Sequence, residues 1–468
     1  MPLRREHNLK YFMIEEVLAF AEKEKEKFLD DLFKLARIPS ISAFEENYPD
    51  IERCAETLKD LMTAYGLENA QLLKIDGAQP LVYADWLHAG EDKPTLLLYA
   101  HYDVQPVGIE SQWETPPFEP TAKGERVYGR GIVDDKAGAM VHLAAIYAYL
   151  QAQGSLPVNI KFISEGEEEI GSDNLEKYLV AHKDMLRCDM VILTDTDNID
   201  TGIPSITYSL RGIVTLNVEV SALKQSVHSG TWGGPSPNPI EELSKIIASL
   251  TDDDGKILIP GIYDDVKRPD SAMIDALPYD EQIFRSQLGF LDGVEIMNKG
   301  VHPLEQMWFL PSLTVTAFES NEVDSAPNQI IASARARITI RTVSPMNGDK
   351  VLASLQEFIT QKAKHGVKLA FSGAHVGNPW VTDISHPIFQ KVLSSLESGY
   401  GQKATFKGCG GSIPFVETVT SVLGDVPALL VGIEDPYCHA HSENESMDLG
   451  DFYKSIRANI FLYSEVSQ

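Results

Sequence analysis

A histidine and an aspartate follow an apolar run at a spacing suited to metal chemistry. Residues 96–100 form a short apolar run that is rich in branched side chains. This pattern predicts a strand leading into His101 and Asp103. Residues i and i+2 of a strand point to one side, so the two side chains share a face. His101 could bind a metal through one ring nitrogen while Asp103 orients the ring. Taken alone, the pair favours an ordinary histidine–carboxylate contact.

Three further apolar runs lead into acids or histidines, and each reads as a strand. Ligands of open α/β sheets bind beyond the carboxyl ends of the strands. Clustered carboxylates repel one another, and burying them without a counter-charge is costly. Because these segments carry little Lys or Arg, a divalent cation is the natural compensation. The runs are 158–164 before the acidic segment 165–169, 190–194 before Asp195 and Asp197, and 428–431 before His439 and His441.

A glycine-rich turn with two aspartates lies between these runs. Gly129 and Gly131 allow a sharp turn, and a helix predicted over residues 136–151 brings its first amides near Asp134 and Asp135. Either aspartate taken singly reads as a helix N-cap. The spacing also approaches a dinucleotide fingerprint, but Asp134 replaces the third glycine and would repel a pyrophosphate. Nicotinamide binding is therefore disfavoured.

Six motifs follow one another along the chain. They are His101-Tyr102-Asp103, Gly129-Arg130-Gly131-x-x-Asp134-Asp135-Lys136, Glu168-Glu169-x-Gly171-Ser172, Asp195, Gly410-Gly411-Ser412-Ile413-Pro414 and Ala440-His441-Ser442-x-Asn444-Glu445. In this order they resemble the M20 metallopeptidase family, and within it the dipeptidase branch that includes cytosolic nonspecific dipeptidases and carnosinases. The resemblance extends from about Phe28 to the C-terminus, and so many spaced motifs make a chance match very improbable.

The resemblance implies two divalent metal ions per subunit, zinc foremost, with manganese or cobalt as alternatives. His101 and Asp195 would hold one ion, Glu169 and His441 the other, and Asp134 would bridge the pair. Nitrogen and oxygen ligands suit zinc and manganese alike. Such ions sit roughly 3.5–4 Å apart and share a water or hydroxide. Three carboxylates and one hydroxide would then leave the site near neutrality.

The resemblance also assigns catalytic roles. The family pattern Glu-Glu-x-Gly-Ser makes Glu168 the general base, which deprotonates the water shared by the metals and passes the proton to the leaving amine. Asp103 would orient His101. The remaining acids of the run, Glu165 and Glu167, are then expected to be solvated.

Two other candidates are set aside by context. Asp197 is expected to be a surface acid, because its offset from the next strand fits the family's ligand less well than that of Asp195. His439 competes with His441, but only His441 has the Ala-His-Ser-x-Asn-Glu context.

Residues from the middle of the chain are implied to contact substrate. His228 matches a family histidine that reaches into the partner subunit's site and stabilises the oxyanion. Arg341 matches the arginine that pairs with the substrate's carboxylate, and Gly411 and Ser412 would offer an amide and a hydroxyl. His375 is a further candidate for lining the site. Without the resemblance, His228 reads as a loop histidine and Arg341 as an exposed strand arginine.

One position departs from the family pattern. Dipeptidases of this branch often carry an acid just before the two glycines, where it receives the substrate's ammonium, whereas this chain has Cys409. A thiol is a poor partner for a cation. Recognition of a free N-terminus therefore uses another acid or is weaker.

Composition limits the partners. The formal charge of −28, from 40 basic and 68 acidic residues, argues against nucleic acid and anionic membranes. A small acidic substrate would be repelled unless local arginines receive it. Four cysteines without metal-like spacing are expected to be reduced thiols. Without an apolar signal segment at the N-terminus, a cytoplasmic location is expected.

The spacing of the ligands predicts an interrupted α/β domain. A chain of 468 residues exceeds the usual size of one core, about 250–300 residues. We expect a mixed-sheet zinc-peptidase catalytic domain formed by residues 1–212 and 378–468. Residues 213–377 would form an inserted α+β lid, and the resemblance implies that this lid carries the dimer contact. In the insert, alternation predicts strands at 213–220, 312–318 and 334–341, and helices are expected at 239–250 and 350–364.

Together these features predict a dinuclear metal-dependent hydrolase that cleaves the peptide bond of dipeptides or small peptides. Deacylation of N-acyl amino acids is the alternative within the family. A non-catalytic metal-binding interaction protein is the alternative from another class. The expected partners are a small peptide substrate and a second copy of the chain, bound through the lid, with neither nucleic acid nor membrane.

Overall fold

The chain forms two compact units. A computed structural model describes residues 2–269, 274, 277–424 and 426–467. Unit 1 comprises residues 1–208, 382–407 and 413–468, and unit 2 comprises residues 209–381 and 408–412. The chain thus enters unit 2 after Tyr208 and returns to unit 1 at Thr382. The segment Gly408–Ser412 belongs to unit 2 although its neighbours on both sides belong to unit 1.

The described residues form both helices and strands along the whole chain. The strands are β1 (Glu68–Leu73), β2 (Leu81–Trp86), β3 (Thr95–His101), β4 (Thr121–Lys123), β5 (Arg126–Tyr128), β6 (Asn159–Glu165), β7 (Met190–Leu193), β8 (Ser205–Leu210), β9 (Gly212–Ser221), β10 (Val227–His228), β11 (Ser312–Glu319), β12 (Gln329–Ile330), β13 (Ser333–Thr342), β14 (Lys368–Gly377), β15 (Trp380–Val381), β16 (Thr405–Cys409), β17 (Ala428–Val431) and β18 (Ser446–Asp448). The α-helices are α1 (Pro2–Lys23), α2 (Lys25–Ala36), α3 (Tyr48–Ala64), α4 (Lys136–Gln153), α5 (Leu175–Ala181), α6 (Lys183–Leu186), α7 (Ser229–Trp232), α8 (Pro239–Ala248), α9 (Glu281–Gln287), α10 (Pro303–Trp308), α11 (Gly348–Lys362), α12 (Ile388–Tyr400), α13 (Pro414–Leu423) and α14 (Leu449–Val466).

Unit 1 is built on a large mixed sheet, as expected. Its strands follow the order β1-β2-β6-β3-β7-β17-β8, and β8 also pairs with β15 and β16. The pairs β3–β6, β3–β7 and β7–β17 are parallel. The carboxyl ends of these four strands therefore lie at one edge of the sheet. The apolar runs predicted as strands at 96–100, 158–164, 190–194 and 428–431 are these four.

Helix α4 is the central buried helix of unit 1. It begins at Lys136, as predicted, and ends at Gln153, two residues later than predicted. Gly154, with φ of 70°, provides the left-handed cap. Nearly all its faces are buried, as in a helix without a polar side. Lys136 is also buried, and its ammonium donates hydrogen bonds to the carbonyls of Leu35 and Ile38 at the end of α2. A lysine next to the two aspartates thus fixes a neighbouring helix.

Unit 2 has its own antiparallel sheet and core. The strand order is β11-β13-β9-β14, and α8 and α11 pack against it. Along β13 the residues Ala334, Ala336, Ile338 and Ile340 are buried and alternate with more exposed side chains. The predicted alternation of strands 213–220 and 334–341 is confirmed. Helix α8 ends two residues earlier than predicted, and α11 begins and ends two residues earlier.

The cysteines and the helix lengths bear on two further expectations from the sequence. None of the four cysteines, all of which lie in the described part of the chain, forms a disulfide bond. Among the described residues, no helix combines the length and apolar character needed to cross a bilayer.

A buried histidine on α4 predicts acid sensitivity. His142 is fully buried, with ring nitrogens 3.3 Å from the Thr194 hydroxyl and 3.2 Å from the Asn459 amide. Burial lowers its pKa to about 3. The histidine of the unfolded chain therefore binds a proton more readily than that of the folded chain. As pH falls below about 6.5, protonation favours the unfolded chain and the free energy of unfolding decreases. At pH 5 the loss reaches about 2 kcal/mol.

We expect His142→Gln to lose less unfolding free energy than the parent protein between pH 7 and pH 5. Urea unfolding at several pH values measures this slope, whatever the variant's stability at pH 7. The exposed residue His88 provides the control, because His88→Gln should retain the parent slope. Parallel slopes for His142→Gln and the parent would contradict the assignment.

Candidate metal centre

The predicted ligands of unit 1 meet beyond the carboxyl ends of the parallel strands. His101 is the last residue of β3, and Asp195 lies two residues beyond β7. Glu168 and Glu169 lie in a single 3-10 turn, Glu168–Ile170, that follows β6. Parallel pairing brings these ends to one edge, where α/β proteins bind ligands.

Asp134 lies between two histidines. Its Oδ1 is 3.0 Å from Nε2 of His101, and its Oδ2 is 3.0 Å from Nε2 of His441. Nε2 of His441 is also 3.1 Å from Oε2 of Glu169, and Nε2 of His101 is 3.6 Å from Oδ1 of Asp195. The two oxygens of one carboxylate thus face two separate groups of nitrogen and oxygen ligands. A bridging carboxylate needs this arrangement.

Carboxylates outnumber the imidazoles at this edge, and the pKa values reflect it. Hydrogen bonds with Asp134 and Glu169 raise the pKa of His441 to about 11. Burial opposes charge on His101, but Asp195, Asp103 and Asp134 together raise its pKa. Burial raises the pKa of Glu169 to about 7, and the charge of Asp134 adds to this effect. The site therefore favours additional positive charge.

The donor set fits divalent cations. Oδ1 of Asp135 is buried and has no hydrogen-bond partner among the described residues. Nitrogen and oxygen donors at mutual distances of up to 4.8 Å suit zinc, manganese or cobalt. Three overlapping groups have this spacing: His101 with Asp135 and Asp195, Asp134 with Glu169 and His441, and Asp134 with Asp195 and Glu434.

Asp103 holds two parts of the centre together. Its Oδ1 accepts the amide hydrogen of Glu168 at 3.2 Å, and its Oδ2 accepts that of Glu169 at 3.1 Å. Nδ1 of His101 lies 3.1 Å from the Asp103 carbonyl and 3.4 Å from its Oδ1. Because both residues are fully buried, this one carboxylate positions the His101 ring and the turn that carries the two glutamates.

A buried ion pair fixes the turn before Asp134. Nη1 of Arg130 donates to Oε2 of Glu445 at 2.7 Å, and the amides of Gly131 and Val133 donate to the same carboxylate. Gly131 has φ of 72°, and a Cβ there would lie 2.3 Å from a methyl carbon of Val104. The motifs contained Arg130 and Glu445, but sequence analysis assigned them no role.

Two acids predicted to be solvated are buried, so that expectation is wrong. Glu165 is 4% exposed and accepts a hydrogen bond from the Tyr99 hydroxyl at 2.6 Å. Glu167 is 7% exposed and accepts the amide of Gln79 at 2.8 Å. The acidic run is not a loop in water, because it begins inside β6 and its donors come from distant segments. Burial raises the pKa of Glu165 to about 7.

The other two competitors lie outside the three ligand groups. Asp197 is half-buried and forms an ion pair with Lys407, so it is not simply a surface acid. His439 is exposed. His441 also has an exposed side chain, and both histidines lie in the left-handed region, with φ of 54° for His439 and 63° for His441. The contacts of the His441 ring with Asp134 and Glu169 distinguish the two residues.

Sequence analysis missed two residues of the centre. Glu434 follows β17 by three residues and has ligand atoms close to those of Asp134 and Asp195. Its position just beyond a strand end, the feature that predicted Asp195, is the signal for Glu434 in the sequence. Asp135 was read only as a helix N-cap; its side chain caps nothing in α4 and instead accepts the amide of His101.

The predicted substrate residues lie in unit 2. Nη1 of Arg341 donates to the Ser412 hydroxyl at 2.8 Å, so these two are together, and the amide of Gly411 points to the Cys409 sulfur. His375 is exposed on β14, opposite Thr215.

His228 is exposed in the short strand β10. Its Nδ1 accepts the amide hydrogens of Gly230 and Thr231 at 3.1 and 3.3 Å. A neutral ring with Nδ1 as acceptor carries its hydrogen on Nε2. That leaves an outward-facing donor of the kind an oxyanion requires.

The model of the peptidase family M20/M25/M40 matches residues 97–461. The chain belongs to this family. A cysteinylglycine-S-conjugate dipeptidase from Corynebacterium striatum is 31% identical over 91% of this chain and 92% of its own. The structure of the dipeptidase Dug1p from Saccharomyces cerevisiae superposes with a TM-score of 0.85, at 25% identity, over 97% of this chain and 98% of that one. Human carnosine dipeptidase 1 gives a TM-score of 0.86, at 25% identity, over 97% and 99%. This family member is therefore a metallopeptidase.

Asp103 provides a test of the assembled centre. We expect Asp103→Asn to reduce metal affinity about 10–100-fold, because it weakens the support of His101 and of the 168–169 turn. Competition with a chelator of known affinity measures the change. Asp85 offers a matched buried carboxylate on β2, bonded to Tyr83 and Asn69, and Asp85→Asn should leave metal affinity unchanged. Equal losses in the two variants would show a general effect of removing buried charge.

Proposed function

We propose that this metallopeptidase hydrolyses dipeptides with two divalent ions, zinc foremost, held by His101, Asp195, Glu169 and His441 with Asp134 between them. The main support for this proposal is the Asp134 carboxylate, whose two oxygens each lie 3.0 Å from a different histidine. The similarity to dipeptidases over nearly the whole chain supports the same reaction.

Glu168 is the proposed general base. When bound, the two ions would lower the pKa of a water and polarise the scissile carbonyl. Glu168 takes the proton from the attacking water and returns it to the leaving amine. Asp103 fixes its backbone through the amide hydrogen bond of 3.2 Å. Burial raises the pKa of Glu168, which favours a carboxyl group able to hold the proton between the two transfers.

The remaining substrate groups are assigned to unit 2. Arg341 pairs with the substrate carboxylate, and Gly411 and Ser412 provide an amide and a hydroxyl. His228 acts on the oxyanion in the partner subunit of a homodimer formed through unit 2, its Nε2–H serving as donor. His375 is a further lining residue. A cytoplasmic location is part of the same proposal.

Glu434 supplies the acid that the sequence lacks at Cys409. An α-ammonium is two bonds from the scissile carbonyl, so its acceptor must lie next to the metal centre. Glu434 has this position, beside Asp134 and Asp195. An N-acyl amino acid has no such cation. The absence of an acid at position 409 would, by itself, favour the deacylase reaction. The presence of Glu434 favours dipeptides instead.

We expect Glu168→Gln to retain both metals and its fold while kcat falls about 10²–10⁴-fold, because the variant cannot accept a proton. Elemental analysis measures the metal content, and steady-state kinetics measures kcat. Glu176→Gln, an exposed acid on α5, is the control and should keep the parent rate. Parent-like turnover of Glu168→Gln would contradict the role of the base.

Mixing subunits tests the role of His228 in the dimer. Glu168→Gln and His228→Ala each lack one component, so heterodimers regain one complete site if His228 acts across the interface. Recovery of activity on mixing is the expected result. Its absence, in a mixture shown to exchange subunits, would place His228 in its own subunit's site or outside catalysis.

Glu434→Gln should separate dipeptides from blocked substrates. We expect KM for Ala-Leu to rise about 10-fold or more, since a hydrogen-bonded charge is lost, with little change for N-acetyl-Ala-Leu. Metal content should stay at two ions per subunit. Loss of a metal would instead make Glu434 a ligand.

A parent enzyme that prefers N-acyl amino acids to all dipeptides would overturn the proposed function in favour of deacylation.

A further inference from the structure

Unit 2 contains a second arginine beside Arg341. Arg211 follows β8, its Nε donates to the Gly410 carbonyl at 3.1 Å, and its Nη1 donates to the Ser312 hydroxyl at 3.1 Å. Ser312 is the cross-strand neighbour of Arg341, which itself bonds Ser412. The two guanidinium groups therefore border the same short loop, 410–412.

Within the ranges that the structure describes, neither Arg211 nor Arg341 forms an ion pair with a carboxylate. Both are half-buried. Burial lowers the pKa of each, the charge of Arg341 lowers that of Arg211 further, and the nearby Cys409 opposes the shift for both. By contrast, Arg335 on the same strand as Arg341 pairs with Glu319. In a chain with 68 acidic residues, no described carboxylate is thus placed against these two neighbouring arginines.

The number of free donors exceeds what one carboxylate needs. Arg341 uses Nη1 for Ser412 and keeps Nε and Nη2, a pair suited to bidentate binding of a carboxylate. Nη2 of Arg211 makes no hydrogen bond to a described residue, and a Cβ at Gly410 would lie 3.0 Å from it. Glycine at 410 therefore leaves this nitrogen accessible. With one carboxylate on Arg341, the Arg211 charge remains uncompensated.

The geometry points to Arg211 as a specificity residue for substrates with a second carboxylate, namely dipeptides whose C-terminal residue is Glu or Asp. Arg341 binds the α-carboxylate and Arg211 binds the side-chain carboxylate. This inference rests on the proposed function, because Arg341 must first receive the C-terminus. It also explains how an enzyme with a net charge of −28 accepts an acidic substrate: two local arginines offset the long-range repulsion.

Ala-Glu and Ala-Gln test the assignment, since they differ in charge but hardly in size. We expect the parent enzyme to favour Ala-Glu at least about 10-fold in kcat/KM. Arg211→Met should abolish that preference: kcat/KM for Ala-Glu should fall at least about 10-fold more than kcat/KM for Ala-Gln, which itself falls because Arg211 also bonds Gly410 and Ser312. Arg337 is the matched control: it is exposed on β13 and bonded to Asn217, and Arg337→Met should leave the preference intact. Arg211→Lys, which keeps the charge, should retain part of it.

Ligand binding supplies a readout independent of turnover. Glutarate should bind the metal-loaded Glu168→Gln protein more tightly than butyrate by calorimetry, and Arg211→Met in that background should remove the difference. Equal parent rates for Ala-Glu and Ala-Gln would overturn the inference, as would equal losses for both substrates in Arg211→Met. If the parent cleaves no dipeptide at all, the proposed function fails. A glutarate preference that depends on Arg211 would then still support the anion site.

Discussion

Crowded negative charge dominates one edge of the unit 1 sheet. Parallel strands bring Asp195, Glu168 and Glu169 to the same place, and the turn before α4 adds Asp134 and Asp135. His101 and His441 contact Asp134, and the amide of His101 donates to Asp135. Among the described residues, Oδ1 of Asp135 still has no hydrogen-bond partner. Bound cations would relieve the remaining repulsion, so occupation of the metal site would also stabilise the local fold.

Much of the fold and of the candidate site could be predicted from the sequence, because the patterns that indicate them are local. Apolar runs ending in acids predicted both the strands and the edge at which their ligands meet, and alternation predicted β9 and β13. The motif context separated His441 from His439 and Glu169 from its neighbours. In each case the relevant information lies within a few residues.

The failures have a common cause, which is that burial is set by distant segments. Glu165 and Glu167 look solvated in a run of acids, yet Tyr99 and Gln79 supply their donors. The role of Asp103 depends on amides 65 and 66 residues away. Glu434 is the exception, because its position three residues after β17 is a local signal. Exposure and long-range hydrogen bonds cannot be deduced from the spacing of residue types.

The Arg130–Glu445 pair has a consequence for how the protein is made. The turn that places Asp134 is held by a carboxylate 315 residues later in the chain. A chain still being synthesised on the ribosome has already exposed His101, Asp134, Glu169 and Asp195, yet lacks both Glu445 and His441. The acidic edge then lacks His441 and the partner of Arg130 until residues 441–445 have been synthesised. Removal of this segment would abolish the proposed metal site even where every earlier residue is intact.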